Sequence, residues 1–249
     1  MSVRDFQGKM NFFTRARRRV VKVATVALAV TTTCSGLTWA AVSLTGNSVD
    51  AKPPVACSYN LTNGAKTVGI PTFDARAAAR PYTAEVVTNR GTITFEALTD
   101  KAPCTTNSFS FLARKGYYDG STCHRVTTRG IFVLDCGDPK GEGTADPGYF
   151  FQDENLDGAE YSAGTVAMSK AVPGRNGSQF FISYADPDFS MPSEWTPFGK
   201  VLSGLDVLKE IARNGTQDGS SDGRPKKAVV IKSVTVRQAS VNAPREKRG

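Results

Sequence analysis

The chain has 249 residues, 40% of them hydrophobic, with a formal charge of +8 and a single histidine. That length suits one ordinary domain plus appendages. The charge is not evenly spread: residues 1–22 carry seven basic residues and one acidic, whereas residues 81–237 hold 17 Lys and Arg against 19 Asp and Glu. The globular part is slightly acidic, which excludes the electrostatic footprint of a nucleic-acid binder there.

After the basic segment 1–22 comes "VATVALAVTTTCSGLTWAAVSL", residues 23–44, a run of 22 residues without a charge. As a helix rising ~1.5 Å per residue it spans roughly the ~30 Å hydrocarbon core. Arg15, Arg17, Arg18, Arg19 and Lys22 precede it. The positive-inside rule then keeps the N-terminus in the cytoplasm and puts everything after Leu44 outside. The expectation is a single-pass signal anchor in the cell membrane. The alternative is a signal peptide cleaved near Thr38-Trp39-Ala40, which would release a secreted protein.

Residues 45–80 mix Gly, Asn, Pro, Ala and Thr without a sustained period and read as a spacer, ordered in part near Cys57. From Tyr82 the pattern changes. "YTAEVVT" and "GTITFEA" are β-prone runs joined through Asn89-Arg90-Gly91, a hairpin signal. "PCTTNSFSFLARKG" follows, with Pro103 at a helix start, Phe109 and Leu112 at helical spacing, and Gly116 as the stop. Then come "TCHRVT", "IFVLDC", "GTVAMS", "QFFISY", "TPFGKV", a helix "GLDVLKEIAR" and a last strand "AVVIKSVTV". This count predicts a mainly β domain over 81–237, a closed antiparallel barrel capped by helices. Residues 238–249 read as a polar tail.

Cys34 lies in the uncharged run, leaving Cys57, Cys104, Cys123 and Cys136. Four cysteines allow three pairings that sequence does not decide, and four reduced buried thiols are the other option. There is no C-x-x-C, and a single histidine argues against a zinc site. No G-x-S-x-G is present, so a hydrolase would have to rely on His124, which beside Arg125 on a strand reads first as structural. "GEGTADPG" (141–148) lacks the third glycine of a nucleotide loop and reads as a surface turn. No metal, nucleotide cofactor or covalent catalysis is expected.

"GRNGSQFFISY", residues 174–184, puts two phenylalanines side by side on a strand, where neighbours point to opposite faces. Phe180 and Phe181 therefore serve different surroundings. Together with "CHRVTTRGIFVLDCGDP", "GYFFQDEN" and "WTPFGKV", this segment resembles the cyclophilins, the peptidyl-prolyl cis–trans isomerases, over roughly 82–236. The Cys-His-Arg opening is most similar to extracytoplasmic actinobacterial members.

The resemblance implies an eight-stranded barrel closed by two helices, with the active site on its outer face. It implies that Phe180 goes to the core side while Phe181 and Gln179 line the substrate face. It assigns the catalytic arginine to Arg125 with Gln179 beside the substrate. The proline pocket falls on Phe132, Val133, Phe181 and Met191, with Trp195 at the rim. Backbone at Lys170 and Ala171 holds the substrate chain. Asp135 stands where the family has glutamine, and a carboxylate only accepts hydrogen bonds. Lys170 replaces a usual asparagine. Ser190 stands near the tryptophan of cyclosporin-sensitive relatives, so at most weak cyclosporin binding is implied. The runs holding Cys123 and Cys136 pair antiparallel in the family, which implies that disulfide and leaves Cys57 with Cys104. The expected partners are proline-containing peptides and unfolded or exported proteins, with the membrane engaged through the N-terminal helix and no nucleic acid. The competing expectation is a non-catalytic proline-binding or chaperone module in which Asp135 quenches Arg125.

Overall fold

The computed structural model describes residues 56–170 and 172–238. The basic segment, the uncharged run read as an anchor, and the tail from residue 239 lie outside the described residues, as does Ala171. Among the described residues, no helix is long and apolar enough to cross a membrane.

In chain order the elements are β1 (Asn60–Leu61), α1 (Ala75–Ala78), β2 (Tyr82–Thr88), β3 (Gly91–Ala97), α2 (Pro103–Arg114), β4 (Arg125–Thr127), β5 (Val133–Cys136), β6 (Tyr149–Phe150), β7 (Thr165–Met168), β8 (Phe180–Ser183), β9 (Pro197–Ser203), α3 (Leu205–Arg213), β10 (Asp222–Gly223) and β11 (Ile231–Gln238). Nine strands form one sheet in the order β10-β4-β5-β8-β7-β9-β3-β2-β11, and every pair in it is antiparallel. The chain just before β4 meets the start of β11 through a Thr122–Val230 bridge, with Cys123 N donating to Val229 O at 2.9 Å. The fold is mainly β with few helices. The strands beyond the expected eight are the two-residue β1, β6 and β10, of which β1 and β6 pair apart from the main sheet, and the helix beyond the expected two is the single turn α1.

Local sequence explains the elements. β2 and β3 alternate buried and half-buried residues across the Asn89-Arg90 turn, as period-2 patterning requires. α2 starts with Pro at its first position, where a missing N–H costs nothing, and stops before Gly116 at φ +63°. Its N-cap, Ala102, offers no side-chain acceptor. Glu154 supplies one from 50 residues away, accepting from Cys104 N at 3.0 Å and from Thr105 N at 2.8 Å. A carboxylate on otherwise unpaired N–H groups at a helix start is favourable.

The main core is aromatic: Phe95, Phe109, Tyr118, Phe180 and Phe198 are buried and meet ring to ring at 5.2–5.9 Å. Each such side chain contributes about 1.5–3 kcal/mol by burial. Phe180 belongs to this core, while Phe181 lies in a second, smaller cluster on the other face of β8. The pair divides as strand geometry demands.

Residues 56–80, read from sequence as a spacer, pack against the domain instead. Cys57 is bonded to Cys104 at the start of α2, β1 pairs with β6, and the Tyr59 ring sits edge-on to Tyr149 and Phe151. The second disulfide, Cys123–Cys136, ties the approach to β4 to the end of β5.

Candidate active site

The sheet registers set one row of side chains across four strands. Arg125 pairs with Asp135, Asp135 with Phe181, and Phe181 with Ala167. Cross-strand partners share a face, so a cation, a carboxylate, an aromatic ring and a small residue lie side by side across β4, β5, β8 and β7.

At one end, Arg125 is held by two carboxylates. Its Nη1 donates to Asp135 Oδ2 at 2.9 Å. Its Nε and Nη2 donate to Asp222 Oδ1 and Oδ2 at 2.7 and 2.9 Å. Of the five N–H donors of a guanidinium, three are thereby engaged and two remain. The side chains of Arg125 and Asp222 are 36% and 56% exposed, whereas Asp135 is 3% exposed. The guanidinium thus bridges a buried anion and a solvated one. The Asp222 contact, outweighing partial burial, raises Arg125 above its usual range, and Arg125 in turn lowers Asp222. The cation is fixed in charge and in orientation.

At the other end, Val133, Phe181, Ala167 and Tyr161 are buried together, with Ile131, Met191 and Trp195 packed around them. Trp195 stands edge-on to Tyr161 at 5.7 Å and to Phe181 at 6.4 Å. Tyr161 Oη donates to Trp195 O at 2.8 Å and accepts from Trp195 N at 2.9 Å, so one phenol locks the rim in place. Burial raises the Tyr161 pKa and keeps it a donor.

Phe132 does not join this cluster. It lies on the opposite face, with its ring edge-on to Tyr184 at 5.9 Å and against a separate hollow beside Ala212 of α3. Side chains alternate along the chain, so counting back from Asp135 places Val133 and then Ile131 on the site face. Ile131 occupies the position that the sequence reading gave to Phe132.

Next to this cluster, Gln179 is buried and donates Nε2 to Ala145 O at 3.0 Å. It lines a cavity of about 230 Å³ with Thr144, Asp146, Lys170 and Arg175. The Lys170 side chain turns inward, 4% exposed, to Asp153 and to the carbonyl of Glu194. Only its backbone is left for an extended substrate. The loop 140–145 is shaped from inside by Asp138, whose carboxylate accepts from Lys140 N at 2.7 Å, Thr144 N at 2.8 Å and Ala145 N at 3.1 Å. Burial would raise the Asp138 pKa, but these N–H groups together lower it. Gly137, at φ +89°, passes so near β8 that a Cβ would lie 2.3 Å from Ser178 O.

His124 lies beneath the same loop. Its Nδ1 is buried and has no hydrogen-bond partner among the described residues, and desolvation lowers its pKa. Its neighbour Cys123 is consumed in a disulfide. Nothing here resembles a nucleophile–base pair. Among the described residues no group of three or more His, Cys, Asp or Glu side chains gathers as a metal site. Two members of the site, Asp222 and Tyr161, carried no signal in the sequence reading.

Residues 83–236 match the family model for cyclophilin type peptidyl-prolyl cis–trans isomerases. The chain belongs to the cyclophilin family. Among its curated relatives is a probable peptidyl-prolyl cis–trans isomerase B of Mycobacterium tuberculosis, 40% identical over 184 residues, which cover 68% of this chain and 57% of the relative. The Mycobacterium leprae counterpart is 39% identical, with 61% of this chain and 55% of the relative covered. This cyclophilin chain therefore spans little more than half the length of these relatives. A crystal structure of a Cryptosporidium parvum cyclophilin, determined in the presence of the dipeptide Ala-Pro, matches with a TM-score of 0.55 at 26% identity. That match covers 63% of this chain and 99% of the other.

Proposed function

We propose that this cyclophilin accelerates rotation about X–Pro peptide bonds and assists the folding of exported proteins. An X–Pro amide resists rotation by about 18–20 kcal/mol because nitrogen donates into the carbonyl. No bond need break, so neither a nucleophile nor a metal is required. The catalyst must hold the proline ring, let the carbonyl swing, and favour the twisted state in which nitrogen regains its lone pair.

The row from Arg125 to Ala167 carries this reading. The cluster of Ile131, Val133, Phe181, Met191 and Trp195 suits the ring. Ala167, the smallest residue in the row, is buried against Val133, Tyr161 and Phe181. Gln179 and the backbone at Lys170 and Ala171 take the flanking chain. Arg125 offers its two remaining N–H donors to the proline nitrogen, an interaction available only once conjugation is lost. Asp222 and Asp135 hold the guanidinium still, so its reorganisation is met during folding and not during the reaction.

The same clamp favours a second reading, a proline-binding module without turnover, because two carboxylates compete with substrate for one cation. Protease-coupled isomerisation of an Ala-Xaa-Pro-Phe peptide by the full-length chain decides between them. Turnover that collapses in Arg125→Ala supports the isomerase. Tight peptide binding without turnover supports the module.

Export is supported by the two disulfides, which persist in oxidising compartments. It is also supported by the basic segment preceding the uncharged run 23–44. On this reading the domain is held on the outer side of the cell membrane by a single span, and the clients are unfolded chains emerging there.

A further inference from the structure

The geometry points to residues 57–67, which precede the family-matched region, as a brace that fixes from behind one wall of the groove that receives the client chain, with Thr62 as a positioning residue. This inference rests on the isomerase reading above and concerns the part of the groove beyond the proline pocket.

The cavity beside Gln179 is bounded on one side by Thr144, Ala145 and Asp146. This side is a loop containing Gly141, Gly143 and Gly148, all at positive φ, and such a chain loses much freedom when ordered. Asp138 holds residues 140–145 from within. Residues 146–150 are held by Asp146 Oδ1, which accepts from Gly148 N at 2.8 Å, by Arg175 over the Phe150 ring, and from behind by the N-terminal segment. Thr62 Oγ1 donates to Asp146 Oδ1 at 2.7 Å, and Thr62 N donates to Gly148 O at 2.9 Å. β1 pairs directly with β6. Gly64 lies so close behind the loop that a Cβ there would sit 2.0 Å from Gly148 N. On the inner side the same Asp146 rests over Gly177, where a Cβ would stand 3.4 Å from Asp146 Cβ. Asp146 is therefore gripped between the N-terminal segment and the cavity floor.

The segment is itself fastened at both ends. Cys57 is bonded to Cys104, and Tyr59 Oη donates to Cys104 O at 2.9 Å. Lys66 Nζ donates to Tyr117 O at 2.6 Å. A wall ordered beforehand spares a bound chain the cost of ordering it, which appears as affinity. The benefit falls only on clients long enough to reach the cavity.

The test uses the full-length chain as wild type, Thr62→Val, Thr62→Ser and the double variant Cys57→Ser/Cys104→Ser. Affinity is measured for two probes, the dipeptide Ala-Pro and a hexapeptide extending on both sides of a central Ala-Pro. Thr62→Val is expected to weaken hexapeptide binding roughly threefold to tenfold, the range for the net contribution of one ordinary hydrogen bond. Ala-Pro affinity stays unchanged, and Thr62→Ser, which keeps the hydroxyl, behaves as wild type. The double cysteine variant shifts the hexapeptide in the same direction and further. Should that variant fail to fold, the Thr62 pair decides alone. Equal weakening of both probes, or an unaltered hexapeptide affinity in Thr62→Val, overturns the brace. Wild-type turnover is measured first, because its absence speaks against the isomerase reading, whereas unaltered affinities in an active enzyme overturn only this inference.

Discussion

Arg125 and Asp222 are 97 residues apart in sequence and meet through two parallel hydrogen bonds of 2.7 and 2.9 Å. Fork-to-fork pairing of this kind adds geometric specificity to charge. Asp222 sits on the two-residue strand β10, in register with Thr127 of β4. The carboxylate that aims the candidate catalytic cation is thus delivered by the sheet edge.

The two carboxylates on Arg125 are expected to differ in effect. Asp222→Ala leaves the guanidinium charged but no longer aimed, and should lower kcat about tenfold. Stability should change by only about 0–1 kcal/mol, as for an ion pair open to solvent. Asp135→Gln keeps an acceptor for Nη1 while removing the buried negative charge, so kcat/KM should rise. Arg125→Ala should lower kcat by about 100- to 1,000-fold with little change in peptide affinity. Steady-state kinetics on all three variants, beside thermal melts, check the set. An active wild type indifferent to Arg125→Ala refutes the mechanism.

Phe180 and Phe181 should separate stability from binding. Phe180→Ala empties part of the main core and should cost about 3–5 kcal/mol in unfolding free energy. Phe181→Ala opens the proline pocket, so its leading effect should be a raised KM. Denaturant titrations and kinetics on the two variants give the comparison. Equal stability losses with unaltered KM would contradict the division between the two faces of β8.

Acidification should destabilise the domain in two stages. Burial lowers the pKa of His124 from 6.5, so the unfolded chain binds this proton first. The stability linked to the neutral imidazole is complete above the unfolded pKa and is lost as pH falls toward the folded one. His124→Gln should therefore flatten the Tm curve between about pH 7 and 5, around the ordinary His pKa. Asp138 has a folded pKa below 3.8. Its contribution is present above that value and is lost at lower pH, so Asp138→Asn should act on the acid limb alone.

Peptide mapping without reductant should recover Cys57–Cys104 and Cys123–Cys136. The first spans 47 residues and the second 13. Loop-closure entropy then assigns about 4 and about 3 kcal/mol to the two. Cys57→Ser/Cys104→Ser should lower Tm more than Cys123→Ser/Cys136→Ser. Four alkylatable thiols in freshly purified exported protein would contradict both pairings.

Full-length protein should fractionate with membranes and lose its domain to protease added to intact spheroplasts. Protection of the domain behind a membrane proved intact would reverse the orientation. A soluble product beginning near Ala41 would indicate cleavage of the leader.

Much of the site was legible because short motifs carry it. Arg125, Asp135 and Phe181 fall within strings that specify their strands, and Gln179 and Trp195 lie just ahead of β8 and β9. Ile131 was also within reach, since parity along the strand from Asp135 selects it over Phe132. Asp222 was not: "SSDG" has no periodicity, and its partner is 97 residues away. Tyr161 was hidden similarly, because its role depends on meeting the Trp195 backbone 34 residues later. The segment 56–80 looked like a linker because its apolar residues fall among Gly, Asn, Thr and Ala without a sustained period. A disulfide, a two-residue ladder and side-chain hydrogen bonds hold it, and none of these leaves a hydrophobic period.

Because Arg125, Asp135, Phe181 and Ala167 occupy consecutive strands, the distance from cation to ring is fixed by strand spacing, about 4.8 Å per step. Loops at either end can lengthen, shorten or change composition without altering that distance. On the isomerase reading, new client preferences are therefore open to evolution through the rims, while the row itself stays constant. A one-residue register slip in β5 would do the opposite: Asp135 would leave the site face opposite Arg125, which on the isomerase reading ends turnover while every loop remains as it was.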